Sequence, residues 1–123
     1  MNQTPEVSDN NQFEILDKEL VIKYKKLEDH CIVKLRAKDT PKSVLSTLNK
    51  SQFKKYSSKF LNDLGIKMSE QNEFNLAKEL FELAINEDPI FYEPWKNLSA
   101  IIKDKDLSKS NTYQRIAENL NSK

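Results

Sequence analysis

The sequence predicts an all-helical protein, and two observations support this prediction. The chain of 123 residues has one glycine and four prolines, whereas strands joined by tight turns normally need more glycine. Apolar residues also recur at steps of three and four, which is the spacing of one face of an α-helix. Hydrophobic residues make up 37% and charged residues 32% of the chain, a composition typical of a soluble globular domain.

The N-terminal part is predicted to be a polar tail followed by one long helix. Residues 1–12 contain no apolar stretch and are predicted to be disordered. A stripe then predicts a helix over about residues 12–38, formed by Phe13, Leu16, Leu20, Tyr24, Leu27, Cys31 and Leu35. A β-hairpin over residues 20–36 stays open as an alternative, because two β-prone apolar runs lie within them. No Gly, Asn or Pro separates these runs, which favours the helix.

Shorter helices are predicted along the rest of the chain. Thr40-Pro41 predicts the start of a helix over residues 41–49, because Thr can cap it and Pro fits its first turn. Ser51 is the next candidate cap, and a polar link runs through Asp106. The remaining helices are predicted at residues 53–71, 73–87, 91–104 and 110–121. The sequence therefore divides into an N-terminal helical segment, residues 13–57, and a second helical unit, residues 58–123.

A spaced series of small and large residues lies within residues 58–91. It consists of Leu61, Leu64, Gly65, Met68, Phe74, Ala77, Phe81, Ala84 and Pro89. This series resembles the tetratricopeptide repeat, a helical hairpin of about 34 residues. Gly65 and Ala77 are small where the two helices would cross, and Phe81 would fill the space beside them. A close crossing would explain a glycine in mid-helix, which costs about 1 kcal/mol relative to alanine.

A second, degenerate unit follows in the same register. Trp95 and Leu98 take the places of Leu61 and Leu64, and Ser99 replaces the glycine. The apolar series of its second helix is displaced by two residues, which predicts a two-residue insertion near Asp106. The resemblance covers about residues 58–120 and fails one repeat earlier. We therefore expect the N-terminal helices to cover the exposed face of the first hairpin.

The resemblance implies a function, because tetratricopeptide proteins bind peptides or protein segments in a groove lined by the first helix of each repeat. The groove places are Lys59, Asn62, Ile66, Ser69, Glu70, Glu93, Lys96, Asn97, Ala100 and Lys103. Asn97 matches an asparagine that some members use to hold a terminal carboxylate. Asn62 and Ile66 occupy the places of its usual partners, so no carboxylate clamp is predicted. The expected function is that of a scaffold or adaptor for a protein or peptide partner.

Other functions find little support in the sequence. His30 and Cys31 are the only residues of their types, so no zinc set is predicted, and one glycine allows no phosphate-binding loop. We expect no enzyme activity, no cofactor and no metal. The N-terminus does not resemble a signal peptide and no window is apolar enough to span a membrane, so a cytoplasmic location without membrane contact is predicted.

Two alternatives stay open. The chain could be a structural module that self-associates, with weak homo-oligomers. It could also be a nucleic-acid accessory protein, which the balanced net charge of +1 does not favour. Residues 39–69 carry six lysines against two aspartates. This excess is either a solvated helix face or a docking patch for an acidic partner.

Overall fold

The computed structural model describes residues 18–122 and confirms the all-helical prediction, with no strand among these residues. Its helices are α1 (Lys18–Arg36), α2 (Pro41–Asn49), α3 (Ser57–Glu70), α4 (Phe74–Glu87), α5 (Tyr92–Ile102) and α6 (Leu107–Asn121). A 3-10 turn, Lys54–Tyr56, precedes α3. The predicted tail and the first residues of the long helix, residues 12–17, lie outside the described part of the chain.

Residues 20–36 form a helix and not a hairpin. The stripe predicted from the sequence faces the interior, since Tyr24, Cys31 and Leu35 on α1 are all buried. The helix ends at Arg36, two residues before the predicted end. Lys38 adopts the left-handed conformation with φ 74°, and the Asp39 N–H donates to the carbonyl of Lys34 at 3.0 Å. These hydrogen bonds are those of a Schellman motif, which turns the chain back towards α2.

Helix α2 has the predicted bounds, but α3 begins later than predicted. Thr40 caps α2 by accepting a hydrogen bond from the Ser43 N–H at 3.1 Å. Ser51 does not cap a helix. Its hydroxyl accepts from the Phe53 N–H at 3.0 Å and donates to the Leu48 carbonyl at 2.8 Å. This tight turn places Phe53 in the core, and the α-helix starts only at Ser57.

The hairpin of α3 and α4 is closest at Gly65. A Cβ atom on Gly65 would lie 2.5 Å from Cε1 of Phe81, so only glycine leaves room for that ring. Nearer the open end of the hairpin, the Ser58 hydroxyl donates to the Ala84 carbonyl at 2.8 Å. Asn72, with φ 63°, allows the tight turn at the other end. Phe74 was predicted to pack inside the repeat and is instead 51% exposed, because it lies at the solvent side of the first turn of α4.

The hairpin of α5 and α6 corrects the predicted insertion. Helix α6 begins at Leu107, three residues before the predicted start, and the Asp106 side chain caps it by accepting from the Lys109 N–H at 3.0 Å. Ser99 faces Ser110, and each hydroxyl donates to the other's backbone carbonyl at 2.8 Å. The small residue on α6 is therefore Ser110, which lies earlier in the chain than an insertion would place it.

Within residues 18–122, α3 with α4 and α5 with α6 form two antiparallel hairpins, which α1 and α2 precede. Helix α1 is parallel to α3, because Tyr24 near its start donates to Asp63 and Arg36 at its end donates to Gln71, just after α3. Helices α1 and α2 both contact α3, and α2 also contacts α4. Helices α1 and α2 thus pack on the α3–α4 hairpin from its N-terminal side in the chain, and α5 packs on the same hairpin from the C-terminal side.

Candidate protein-binding cavity

The predicted groove residues lie on α3 and α5, apart from Lys103, which directly follows α5, and three of them connect these helices. Asn62 is fully buried. Its Nδ2 donates to Oε1 of Glu93 at 3.4 Å, and its Oδ1 accepts from Nδ2 of Asn97 at 3.0 Å. A buried amide that is hydrogen-bonded on both sides fixes the spacing of the two helices. The prediction that Asn62 is available to a partner is therefore wrong.

The other groove residues divide between the interior and the surface. Nζ of Lys59 is 3.2 Å from Oδ2 of Asp63, the carboxylate that also accepts from Tyr24. Ile66 is partly buried against the core. Ser69 is half-buried. Four other groove residues are exposed: Glu70, Lys96, Ala100 and Lys103. Ser69 and Ala100 line the cavity described below and the other eight do not, so this cavity gathers only part of the predicted groove.

Most of the predicted repeat-packing residues lie in the interior. Leu61, Leu64, Gly65, Met68, Ala77, Phe81, Ala84 and Leu98 are buried. Pro89 is exposed in the turn between α4 and α5, where its carbonyl accepts from Nε1 of Trp95 at 2.8 Å. The Trp95 ring meets the Tyr113 ring edge-on, with centroids 5.5 Å apart. Trp95 thus has partners within its own chain and joins α5 to α6.

A cavity of about 580 Å³ lies where the ends of α3 and α5 meet the starts of α4 and α6. This volume falls in the range of cavities that hold small ligands or one or two side chains. Its lining consists of Ser69, Phe74, Asn75, Lys78, Ala100, Ile101, Ile102, Asp104, Lys105, Asp106 and Lys109. The walls are therefore apolar residues of α4 and α5, and charged side chains surround them.

Phe74 is the feature of this cavity that favours binding. Half of its side chain meets solvent, although a phenylalanine is normally buried. Lys78, one turn further along α4, lies on the same side of that helix. Lys105 and Lys109 contribute from the turn and from α6, whereas the Asp106 carboxylate is engaged by the cap of α6. An apolar wall beside cationic side chains suits a segment with an apolar side chain and a nearby acid.

The sequence pointed only indirectly to this cavity. The repeat pattern assigns Phe74 to packing between the helices. No sequence pattern marks Ile101 or residues 105–109 as site residues. Their grouping depends on where α6 begins, which the sequence left wrong by three residues. An aromatic residue directly after the Asn72 turn was the available signal, because the first position of a helix is often open to solvent.

A buried polar cluster joins α1 to α3 on the other side of the molecule. The Tyr24 hydroxyl donates to Oδ2 of Asp63 at 2.7 Å, and burial followed by the charge of Asp63 raises the pKa of Tyr24. Glu28, one turn along α1, is 2% exposed, and its Oε1 has no hydrogen-bond partner among the described residues. Burial, and then Asp63, raise the pKa of Glu28, while Lys67, Lys25 and Lys59 oppose the shift.

Stability should depend on pH through Glu28. Its ordinary pKa is 4.5 and the folded value is higher, so the folded state favours the neutral acid. We therefore expect the free energy of unfolding to fall as pH rises above 4.5 and the unfolded chain ionises. Glu28→Gln, which stays neutral, should remove this fall, while Glu19→Gln at the exposed start of α1 should not. Urea unfolding of the unmodified protein and the two variants from pH 4 to 8 measures the free energy of unfolding at each pH. The same dependence on pH in all three proteins would contradict the role of Glu28.

His30 and Cys31 do not form a reactive pair with each other. Cys31 is fully buried and burial raises the pKa of its thiol to about 11, whereas the neighbouring His30 is exposed. Residues 18–122 contain no group of three His, Cys, Asp or Glu side chains placed to hold a metal ion. Within the same residues, no helix combines the length and the apolar character needed to cross a membrane.

Comparisons with protein-family models, with curated proteins and with solved structures find no match to this chain.

Proposed function

We propose that this chain is a protein-binding adaptor built from tetratricopeptide-like hairpins. Two features of the fold support the family resemblance. The glycine at the first hairpin crossing accommodates Phe81, and the second hairpin has a Ser99–Ser110 contact at the corresponding crossing. Helices α1, α3 and α5 run parallel, which is the arrangement expected of first helices in stacked repeats. Helices α1 and α2 would then serve as an atypical third hairpin, and three units suffice for a stable stack.

The half-exposed Phe74 in the cavity carries the proposal. Protein interfaces obtain most of their affinity from a few aromatic or cationic anchors in pockets, and the surrounding polar contacts add specificity. Phe74 and Ile101 provide the apolar surface, and Lys78 and Lys109 provide charge around it. The partner is a protein segment that inserts one apolar side chain.

Photo-cross-linking from position 74 tests this proposal. The photoreactive residue p-benzoylphenylalanine replaces Phe74 in one variant and Ile90 in the other. Ile90 is the matched control, because it is 73% exposed in the turn at the opposite end of the hairpins. In an extract of the host cell, position 74 should give a cross-linked protein that position 90 does not give, identified by mass spectrometry. Equal products from both positions, or none from position 74, would refute the cavity as the binding site.

A second candidate is self-association, and α1 carries the observation that favours it. Ile22 is 54% and Val33 is 65% exposed, and a separation of eleven residues places them on the same face of the helix. Two such faces could pair in a dimer. Sedimentation velocity distinguishes the two functions: an adaptor stays monomeric at micromolar concentration, whereas a self-associating module forms a dimer that Ile22→Glu disrupts. A cytoplasmic location for either form stays a prediction from the sequence.

A further inference from the structure

Charge is distributed very unevenly between the two halves of the described chain. Residues 18–59 contain twelve Lys or Arg and four Asp or Glu, a net charge of +8. Residues 60–122 contain seven Lys or Arg and eleven Asp or Glu, a net charge of −4. The overall charge of the protein conceals this separation. A region of one sign attracts partners of the opposite sign and speeds their association.

A depression of about 380 Å³ lies within the positive half, between α1 and the turn that precedes the 3-10 helix. It is lined by Lys23, Lys26, Leu27, His30, Ser51, Gln52 and Phe53. The first two lysines and His30 are three and four residues apart, so α1 presents them on one side. We name this surface the α1 depression. It shares no residue with the Phe74 cavity.

The cationic groups of the α1 depression are available to a ligand. Lys23 and Lys26 are exposed, and neither has a hydrogen bond or an ion pair with any residue from 18 to 122. Lys34, further along the same side of α1, differs because it is bound to Thr47 and Asp39. Lys50 and Lys54 flank the lining segment 51–53 in sequence and are exposed, whereas the amine of the exposed Lys55 lies 5.5 Å from the centroid of the Tyr56 ring. Lys23, Lys26, Lys50 and Lys54 are thus four exposed lysines, within the depression or next to its lining in sequence, for which no side-chain ion pair is found among residues 18–122.

The lining between these charges is apolar, and this feature identifies the kind of partner. Leu27 is partly buried and packs against the core, whereas Phe53 is 2% exposed. Leu27 therefore provides the apolar surface that is open to a ligand, and Phe53 closes the depression towards the core. Tyr24 meets the Phe53 ring edge-on, with centroids 5.3 Å apart. No aromatic face of Phe53 is therefore open to stack on a nucleobase, which single-stranded nucleic-acid sites require. One aliphatic or aromatic side chain fits the space instead.

We infer that the α1 depression binds an acidic protein segment that carries an apolar residue between Asp or Glu side chains. The carboxylates pair with Lys23 and Lys26, and the apolar side chain packs on the partly open Leu27. The partner exchanges solvent contacts of exposed lysines for ion pairs at a partly desolvated surface, where such pairs count for more than on open surface. This site goes beyond the groove of the proposed adaptor and does not depend on it.

Fluorescence anisotropy with the full chain tests the inference. The probe is a fluorescein-labelled nine-residue peptide in which one leucine is flanked on each side by four glutamates. Binding should weaken about tenfold in the Lys23→Glu/Lys26→Glu variant, because each reversal replaces attraction with repulsion. The matched control is Lys38→Glu/Lys42→Glu, with the same change of charge on exposed residues beside the turn from α1 to α2, and it should bind as the unmodified protein does. Thermal unfolding followed by circular dichroism verifies that both variants fold.

Four results would overturn the inference. Equal weakening by both double variants would show a general effect of net charge rather than a site. A peptide with glutamine in place of glutamate that binds equally well would remove the role of charge. A labelled nine-nucleotide DNA strand that binds more tightly than the peptide would assign the surface to nucleic acid. Sedimentation at 20 mM salt tests whether a second copy of this chain occupies the depression. A salt-sensitive dimer that is lost in Lys23→Glu/Lys26→Glu would assign the α1 depression to the acidic half of a second copy.

Discussion

Tyr24→Ala is expected to lower the free energy of unfolding by about 3–5 kcal/mol, the usual loss for a buried aromatic residue. Tyr24 is 2% exposed and its ring meets the Phe60 ring edge-on, with centroids 5.0 Å apart. Its hydroxyl donates to Asp63 on α3 at 2.7 Å. The ring and the hydroxyl together hold α1 on the rest of the protein, so their removal leaves a large space and leaves Oδ2 of Asp63 with Lys59 as its remaining donor.

Two further variants separate these contributions in urea unfolding followed by circular dichroism. Tyr24→Phe keeps the ring and loses the hydrogen bond to a charged acceptor, so we expect a loss of about 1.5–3 kcal/mol. Ile22→Ala, two residues away on the exposed side of α1, should change stability by less than about 0.5 kcal/mol. If Tyr24→Ala cost no more than Ile22→Ala, α1 would not be packed on α3.

Phe81→Ala, made in the unmodified protein, is expected to lower the free energy of unfolding by about 3–5 kcal/mol, because it also truncates a buried aromatic residue. The Phe81 side chain is 1% exposed and lies against Gly65, which has no side chain to fill the space that the ring would leave. With a total stability of about 5–15 kcal/mol expected for a domain of this size, the variant should be close to unfolded at 37 °C.

The matched control for Phe81→Ala is Phe74→Ala on the same helix. Phe74 is 51% exposed, so its truncation should change the free energy of unfolding by less than about 0.5 kcal/mol. Differential scanning calorimetry on the two variants measures both effects. A comparable loss in both would mean that α4 does not present one face to the core and the other to solvent. The Phe74→Ala result also verifies that cavity variants keep the fold.

Periodicity and punctuation predicted most of the helices. The stripe from Tyr24 to Leu35 gave a single helix, and Thr40-Pro41 gave α2 with its observed bounds. These features are local, because a helix needs only neighbours three and four residues apart and a capping side chain. The single glycine also indicated a close crossing, since its cost in mid-helix needs a compensating contact. The contact with Phe81 provides it.

The candidate site was less accessible to sequence reasoning because it depends on register between helices. The start of α6 is set by the Asp106 cap and by the paired hydroxyls of Ser99 and Ser110, and both are compatible with several registers in sequence. A polar residue such as Asn62 is normally placed at the surface. Its burial depends on Asn97 and Glu93, which lie on another helix. Long-range pairs of this kind leave no periodic signal.

Close packing of α3 on α4 at Gly65 is the claim on which the whole arrangement depends, and a double-mutant cycle measures it most directly. Gly65→Ala is made in the unmodified protein and in the Phe81→Leu variant, and the free energy of unfolding is determined for all four proteins. A loss of about 1–3 kcal/mol is expected in the first background, because the added methyl group meets the ring. In the second background the loss should vanish or become a gain of up to about 1 kcal/mol, as alanine favours helix. An equal gain in both backgrounds would contradict the crossing.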